Sequence, residues 1–186
     1  MDYIELVNLD MSKYDDPTTR EELAKELYEG VTKHGFLTLS NHGISQELME
    51  SQVDLAHAIM TLPPEEKAPF EATPEEDAKG RYVGFKPAGV LGSKGGFHKT
   101  LDHYNILTWD PEDHKHPKML ADHLAEVRET ISILRAQLLH KLLHLVAMVL
   151  EVPPEQVLKT HAFGAESTEY LRYVSLVHVE SLIEHI

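Results

Sequence analysis

Histidine is the residue type in this chain that could most readily bind a metal, because the sequence has 13 histidines and no cysteine. Without thiolates, a metal would be bound by imidazoles and carboxylates. The chain also has no disulfide and no thiol nucleophile. His140 and His144 are four positions apart, a spacing that places both on one face of a helix. The residues between them lack the glutamate of the HExxH motif, so the spacing favours ordinary helical histidines.

Two other groups combine histidine with a carboxylate. Asp113, His114 and His116 lie in a proline-bounded segment, but a histidine-rich chain places such residues together by chance, which favours a surface loop. The run His178-Val179-Glu180 has the form that supplies two ligands of a non-haem iron triad. A triad also needs a histidine from a distant strand, and only His185 follows. Chance is favoured here too, and the sequence predicts no metal-ligating and no catalytic residue.

Motifs for phosphate binding and for nucleophilic catalysis are not evident either. The segment from Gly89 to Gly96 contains several glycines and a lysine, but it lacks the GxxxxGK[ST] spacing of a phosphate-binding loop. A flexible loop is the favoured interpretation. A Ser-His-Asp triad is recognised by geometry and not by order in the sequence, so no hydrolase is predicted.

The charge of the chain restricts its partners. It has 31 acidic and 17 basic side chains and a formal net charge of -14 over 186 residues. Such a charge repels phosphate backbones and anionic lipids, which argues against nucleic acid and membrane surfaces as partners. The N-terminal sequence lacks the basic and apolar regions of a signal peptide, and no stretch reaches the roughly 18 apolar residues of a membrane span. We therefore expect a cytoplasmic protein.

Hydrophobic spacing and turn residues predict the order strand, helix, strand, helix at the start of the chain. The first helix has a proline in its first turn and a Thr-x-x-Glu capping box. Two prolines, Pro63 and Pro64, are expected to stop the second helix. The predicted elements are a strand over residues 3–9, a helix over 16–35, a strand over 36–40 and a helix over 45–63.

The rest of the chain is expected to contain one long loop and one long helix. Glycine, proline and lysine dominate residues 65–96, which predicts a loop with a short extended piece at 81–85. Apolar residues at steps of three and four between Pro117 and Pro153 predict a single helix. A coiled-coil seam is the alternative, but packing within its own domain is favoured. A short helix that reaches His161 and a strand over 170–177 complete the prediction.

Ten consecutive residues from Gly35 to Ile44, GFLTLSNHGI, resemble the GFf-x-(v/l)-x-NHGI signature of one enzyme family. The family is the isopenicillin N synthase-like group of non-haem Fe(II) and 2-oxoglutarate-dependent oxygenases. The segment from Leu101 to Ile106 is similar to its D-x-x-E-x-(f/y) region, with His103 and Asn105 where a glutamate is common. Other segments that resemble the family in the expected order are Val7–Asp10, Leu62–Lys67, Arg81–Phe85, the long helix and Leu171–Tyr173.

The resemblance covers roughly residues 4–173 and implies an α+β fold. In this family the matching region forms an N-terminal flank and a long helix that support a double-stranded β-helix, or jelly roll. The implied organisation is a dioxygenase N-terminal domain over 1–115, the long helix and the start of the jelly-roll domain over 116–173, and an unmatched tail over 174–186. The jelly roll is then largely missing.

The cofactors of the family are Fe(II) and 2-oxoglutarate. Its iron ligands come from an HxD motif and a later histidine, and an arginine in an R-x-S motif binds 2-oxoglutarate; the resemblance places all of them beyond this chain. No cofactor is therefore expected for the chain alone. Val174-Ser175 is also what GTAAGT, a common intron start, would encode, which suggests that the tail is read-through of an unspliced intron.

The resemblance implies that a full-length parent hydroxylates or desaturates a small organic substrate, as in secondary metabolism, and that this chain alone is inactive. It places Tyr82, Phe85 and Asn105 in segments that flank the substrate pocket. Packing roles for Tyr82 and Phe85, and a strand-end role for Asn105, are equally open. The alternative functions are a noncatalytic subunit that takes up the missing strands from a protein partner, or a helical interaction module.

Overall fold

The computed structural model describes residues 4–78, 83–86, 101–162 and 169–176. The chain divides into two compact units, each made from two separate stretches of sequence. Unit 1 comprises Met1–Ser45 and Thr130–Ala165, and unit 2 comprises Gln46–Glu129 and Glu166–Ile186.

Unit 1 begins with strand β1 (Val7–Asp10), helix α1 (Pro17–Lys33) and strand β2 (Leu37–Ser40). The predicted order of these elements is confirmed, but the cap of α1 differs from the predicted Thr-x-x-Glu box. Asp16 is the N-cap, and its Oδ1 accepts hydrogen bonds from the amides of Thr18 at 2.8 Å and Thr19 at 3.2 Å. Because Pro17 has no amide proton, the Asp16 side chain accepts hydrogen bonds from the next two amides of the first turn.

The two strands form a parallel pair in which Val7 lies opposite Leu37. The inner faces of the strands and α1 pack against the C-terminal half of the long helix described below, around Leu9, Leu23 and Leu145, which have no exposed surface. The other members of this buried cluster are Met11, Tyr14, Ala24, Leu27 and Leu138. Long apolar side chains excluded from water supply most of the stability of such a unit.

The Asn-His-Gly turn after β2 explains the most specific part of the sequence signature. Asn41 and Gly43 both have positive φ angles, 52° and 89°, which asparagine and glycine adopt at least cost. The Asn41 side chain donates to Asp10 Oδ1 at 2.7 Å, and the same oxygen accepts the hydroxyl of Ser12 at 2.7 Å. These hydrogen bonds lower the pKa of the Asp10 carboxyl. The turn is thereby attached to the end of β1.

Unit 2 contains helix α2 (Gln46–Met60), the short helices α3 (Pro64–Lys67) and α4 (Pro74–Ala78), and a three-stranded sheet. The prediction of a loop over residues 65–96 is therefore wrong for its first part, because prolines and acidic residues here start helices. The sheet is antiparallel in the order β3 (Gly84–Lys86), β4 (Leu101–Leu107), β5 (Tyr170–Leu176). The predicted glycine-rich loop, residues 89–96, lies outside the described residues.

The predicted single helix between Pro117 and Pro153 is two helices. A short α5 (Lys118–Ala121) ends at Asp122, and a new helix starts at Leu124. The second helix runs as α6 (Leu124–Ser132), a π-helical segment (Ile133–Leu139) and α7 (His140–Val149). The apolar spacing continues across the break, so periodicity alone could not locate it. A short α8 (Pro154–Leu158) follows, as predicted.

The helix Leu124–Val149 is 26 residues long and meets the length and hydropathy requirements of a membrane span. The expectation from the sequence is that no stretch reaches the roughly 18 apolar residues of such a span. A core helix of a soluble protein meets the same two requirements, and this helix contributes buried Leu138 and Leu145 to the unit 1 core. Length and hydropathy therefore do not distinguish the two cases.

Candidate functional site

The three-stranded sheet of unit 2 positions two of the predicted site residues. Its register aligns Gly84, Asn105 and Arg172 in one row and Phe85, Tyr104 and Tyr173 in the next. Successive side chains on a strand point to opposite faces of a sheet. Phe85 and Asn105 consequently lie on opposite faces. We name these the Tyr104 face and the Asn105 face.

The Tyr104 face is a packed aromatic layer. Phe85 and Tyr104 make an edge-to-face contact with their ring centroids 4.6 Å apart, and Tyr104 has no exposed surface. The Tyr104 hydroxyl lies 2.7 Å from Nδ1 of His116. Nε2 of His116 lies 2.5 Å from the carbonyl oxygen of Pro111, which can only accept a hydrogen bond. His116 therefore donates a hydrogen bond from Nε2 and accepts one from the Tyr104 hydroxyl at Nδ1.

Burial favours the neutral forms of both side chains in this pair. It lowers the pKa of His116 below the usual 6.5, against the opposing effect of the Pro111 carbonyl, and it raises the pKa of the Tyr104 hydroxyl. Neutral histidine and protonated tyrosine are the forms that the hydrogen bonds require. Asp113, His114 and His116 lie in a loop as predicted, but His116 is half-buried and is a structural partner of the sheet.

Lys67 of α3 joins three elements at this face. Its ammonium group donates to the carbonyl oxygen of Met60 at 2.8 Å and lies 3.9 Å from Asp102 Oδ2. The same nitrogen lies 5.6 Å from the centroid of the Phe85 ring. A cation with a carbonyl, a carboxylate and an aromatic face around it links the end of α2 to β3 and β4. Phe85 is thus held on both sides by packing contacts.

The Asn105 face is polar although much of it is buried. Asn105 has no exposed surface, and Lys86 and His103 on the same face are also buried. Arg172 of β5 donates from Nε to Asn105 Oδ1 at 2.7 Å. This bond orients the carboxamide, and it connects β4 to β5 through side chains as well as through the backbone. Buried amide and basic groups on one sheet face can bind a polar ligand or fix the sheet to a neighbouring element.

Helix α2 supplies further polar contacts to unit 2. The Tyr173 hydroxyl donates to Gln52 Oε1 at 2.8 Å, and burial raises the pKa of Tyr173. The Ser51 hydroxyl donates to Glu126, whose other carboxylate oxygen lies 2.9 Å from Nδ1 of His123. Ser51 and His123 line a cavity of about 400 Å³ with Asp54, Leu55, Ala58 and Met119. These contacts hold α2 against the sheet and α6.

The structure therefore separates the residues proposed for a substrate pocket. Asn105 lies on the polar face with Arg172, whereas Phe85 packs between Tyr104 and Lys67. Tyr82 lies outside the described residues. Sequence reasoning missed Arg172 and Gln52 as partners of the sheet. Arg172 could have been found through its place in the recognised Leu171-Arg172-Tyr173 segment, but no signal in the sequence marked Gln52.

An iron centre needs several histidine and carboxylate side chains close together. Among the described residues no three histidine, aspartate or glutamate side chains lie together in a group that could hold a metal ion. His140 and His144, four apart on α7, thus have no third ligand in this part of the structure. His178, Glu180 and His185 lie outside the described residues. The donor set in the described ranges does not fit an iron centre.

Comparison with known families decides the classification. Residues 7–126 match the family described as "non-haem dioxygenase in morphine synthesis N-terminal", which is more than half of the chain. The chain belongs to this non-haem dioxygenase N-terminal family. The match spans the Asn-His-Gly turn, α2, β3 and β4, and it ends inside α6. The recognition of a non-haem Fe(II) and 2-oxoglutarate-dependent oxygenase, N-terminal region, is confirmed.

The relatives of this dioxygenase N-terminal chain are hydroxylases. It is 36% identical over 73 residues to scopoletin 8-hydroxylase of Arabidopsis thaliana, covering 38% of this chain and 20% of that protein. It is 31% identical over 107 residues to homoarginine-6-hydroxylase of Glycine max, covering 54% of this chain and 31% of that protein. The chain thus matches less than a third of the length of either relative.

A solved structure shows the same fold. A 2OG-Fe(II) oxygenase family protein from Caulobacter crescentus superimposes with a TM-score of 0.64 at 21% sequence identity, over 83% of this chain and 51% of that one. The α+β fold predicted from the sequence, the flank and supporting helix of a jelly-roll oxygenase with few of its strands, is confirmed. The dioxygenase N-terminal chain spans about half the length of this neighbour.

Proposed function

We propose that this chain is the N-terminal part of a 2-oxoglutarate and Fe(II)-dependent oxygenase and does not catalyse oxidation by itself. The observation that supports the proposal most strongly is a family match over residues 7–126 in a chain that matches less than a third of the length of its hydroxylase relatives. Iron in this chemistry needs protein ligands plus open positions for the keto acid and oxygen. In the proposal, those ligands belong to the full-length parent and not to this chain.

The contribution of this chain would be structural and substrate-facing. The Asn105 face supports this role, because it concentrates buried polar side chains on one side of a sheet whose other side is packed with aromatic residues. Asn105, held by Arg172, remains the candidate for contact with a small organic substrate. Phe85 would act indirectly, by fixing the β3 and β4 pair on which Asn105 is presented. Hydroxylation or desaturation is the proposed reaction of the parent.

A noncatalytic subunit that borrows strands from a partner is the second candidate. Its support is the position of β5, which ends the described sheet and has β4 as its strand partner on one side. Edge strands accept additional strands from other chains. For both candidates we propose a cytoplasmic location, which the lack of cysteine fits. They also share the expectation that the chain alone is inactive.

The purified chain, supplied with Fe(II), ascorbate and 2-oxoglutarate, is expected to form no succinate above a reaction without protein. Fluorescence of its single tryptophan, Trp109 in unit 2, would confirm cooperative urea unfolding, so that inactivity is not a consequence of a disordered sample. Succinate formed in proportion to the protein would contradict the proposal. If that activity were lost in Glu180→Gln and His178→Ala, the iron site would lie in the tail of this chain.

A further inference from the structure

A hydrogen bond between Tyr14 and His144 connects two parts of unit 1 that are distant in sequence. Tyr14 follows the 3-10 turn Met11–Lys13, and its hydroxyl lies 2.5 Å from Nδ1 of His144 on α7. The two rings also pack edge to face with centroids 5.7 Å apart. Tyr14 is a member of the buried unit 1 core. The bond therefore joins the segment before α1 to the long helix.

Two permanent cations flank this pair. The Arg20 guanidinium lies 4.8 Å and the Lys141 ammonium 5.0 Å from the centroid of the Tyr14 ring. Arg20 is fixed, because its Nε donates to the Tyr14 carbonyl at 2.6 Å and its Nη2 donates to the Asp15 carbonyl at 3.1 Å. Lys141 lies 3.8 Å from Asp15 Oδ1. The aromatic ring thus has two positive charges within 5.0 Å of its centroid.

The groups around His144 shift its pKa in opposite directions. Burial has the largest effect and lowers its pKa below 6.5, and the charges of Arg20 and His140 lower it further. Glu155 of α8 opposes them. Burial also raises the pKa of the Tyr14 hydroxyl, so that group remains a donor. If His144 is neutral and accepts a hydrogen bond from the Tyr14 hydroxyl at Nδ1, no third cation is added beside Arg20 and Lys141.

We propose that the Tyr14–His144 hydrogen bond is an acid-sensitive latch between the start of α1 and α7. Protonation at Nδ1 would remove the acceptor and place a third positive charge beside Arg20 and Lys141. Asp15 and Glu155 would offset that charge only partly, because Asp15 already lies beside Lys141. The consequence is a looser attachment of the first segment of unit 1 to the long helix at low pH.

The direction of the pH effect follows from linkage. Because the pKa of His144 is lower in the folded protein than in the unfolded chain, the unfolded chain binds more protons as the pH falls below about 6.5. The latch therefore stabilises unit 1 fully above that pH. Its contribution is lost as the pH falls through the folded-state pKa of His144.

The first test follows the His144 ring by NMR in the wild type and in Tyr14→Phe. The wild-type ring is expected to titrate below 6.5, and its pKa is expected to rise in Tyr14→Phe because the neutral form loses its donor. A wild-type pKa at or above 6.5 would overturn the proposal. So would a fall in Tyr14→Phe, since it would show that the tyrosine oxygen accepts from a protonated histidine.

A second test does not depend on the folding of Tyr14→Phe. The carboxamide introduced by His144→Asn would keep an acceptor oxygen near the position of Nδ1 but cannot titrate. His34→Asn is the matched control, because His34 belongs to unit 1 and is not among the groups that shift the pKa of His144. Between about pH 7.5 and 5.5 the melting temperature of His144→Asn is expected to fall by less than that of the wild type, by roughly 2 °C or more. The melting temperature of His34→Asn should fall as that of the wild type does. Equal falls in wild type and His144→Asn would refute the latch.

Discussion

Replacement of Gly84 by alanine is expected to destabilise unit 2 by about 3 kcal/mol or more. Gly84 has a φ of +78°, and a Cβ atom added to it would lie well within 3.0 Å of the backbone carbonyl oxygen of Phe70. That oxygen cannot move without displacing the segment that follows α3. The alanine variant must therefore shift β3, which carries Phe85 and Lys86. Urea unfolding followed by circular dichroism, which reports on the helices of both units, would measure the loss.

Gly35→Ala is the matched control for this substitution. Gly35 has a similar φ of +70°, but an added Cβ would meet no atom within 4 Å. Its cost should be only that of a left-handed alanine, roughly 1–2 kcal/mol. The difference between the two variants isolates the close approach of β3 to the Phe70 carbonyl. Equal losses in the two variants would show that this approach is absent in solution.

The second large effect is expected for Tyr104→Ala, at about 3–5 kcal/mol. The substitution removes a fully buried ring, its edge-to-face contact with Phe85 and the hydrogen bond to His116. The resulting cavity would lie in the centre of the sheet, where the strands on both sides restrict collapse. Urea unfolding of the purified wild type and variant would give the change in the free energy of unfolding.

Two variants separate the parts of this effect. Tyr104→Phe keeps the ring and removes only the hydroxyl, so it should cost about 1 kcal/mol, with His116 Nδ1 left without its donor. Tyr28→Ala removes a tyrosine that is 58% exposed, and the change should be within about 0.5 kcal/mol. A loss in Tyr104→Ala no larger than that in Tyr28→Ala would contradict a packed Tyr104 face. Such a result would return Phe85 to the candidates for substrate contact.

The elements that could be predicted from sequence are those with local signals. The β1, α1, β2 order follows from turn residues and apolar spacing, and the Asn41 and Gly43 turn follows from residues that tolerate positive φ. The break at Asp122 escaped prediction because the apolar spacing continues across it. Helix α3 escaped because prolines were interpreted as loop signals, although Pro64 occupies a first helical turn where its missing amide is harmless.

The candidate site depended on information that a single sequence does not contain. Phe85 and Asn105 were grouped together because both lie in segments resembling the family, but a one-residue difference in strand register decides which face each occupies. The sequence predicts a surface loop around His116, because nothing local indicates that its ring accepts a hydrogen bond from the Tyr104 hydroxyl. Pairings across long separations, such as Arg172 with Asn105, appear only when the sheet is formed.

We propose that the chain is the N-terminal part of an oxygenase whose iron ligands are encoded elsewhere. The most direct test is to sequence the transcript and the genomic DNA from the Leu171 codon onward. We predict a splice donor at the Val174-Ser175 codons and a spliced message that continues into an HxD motif, a later histidine and an R-x-S motif. A message that ends after Ile186 in every transcript, with no such exon downstream, would contradict the claim.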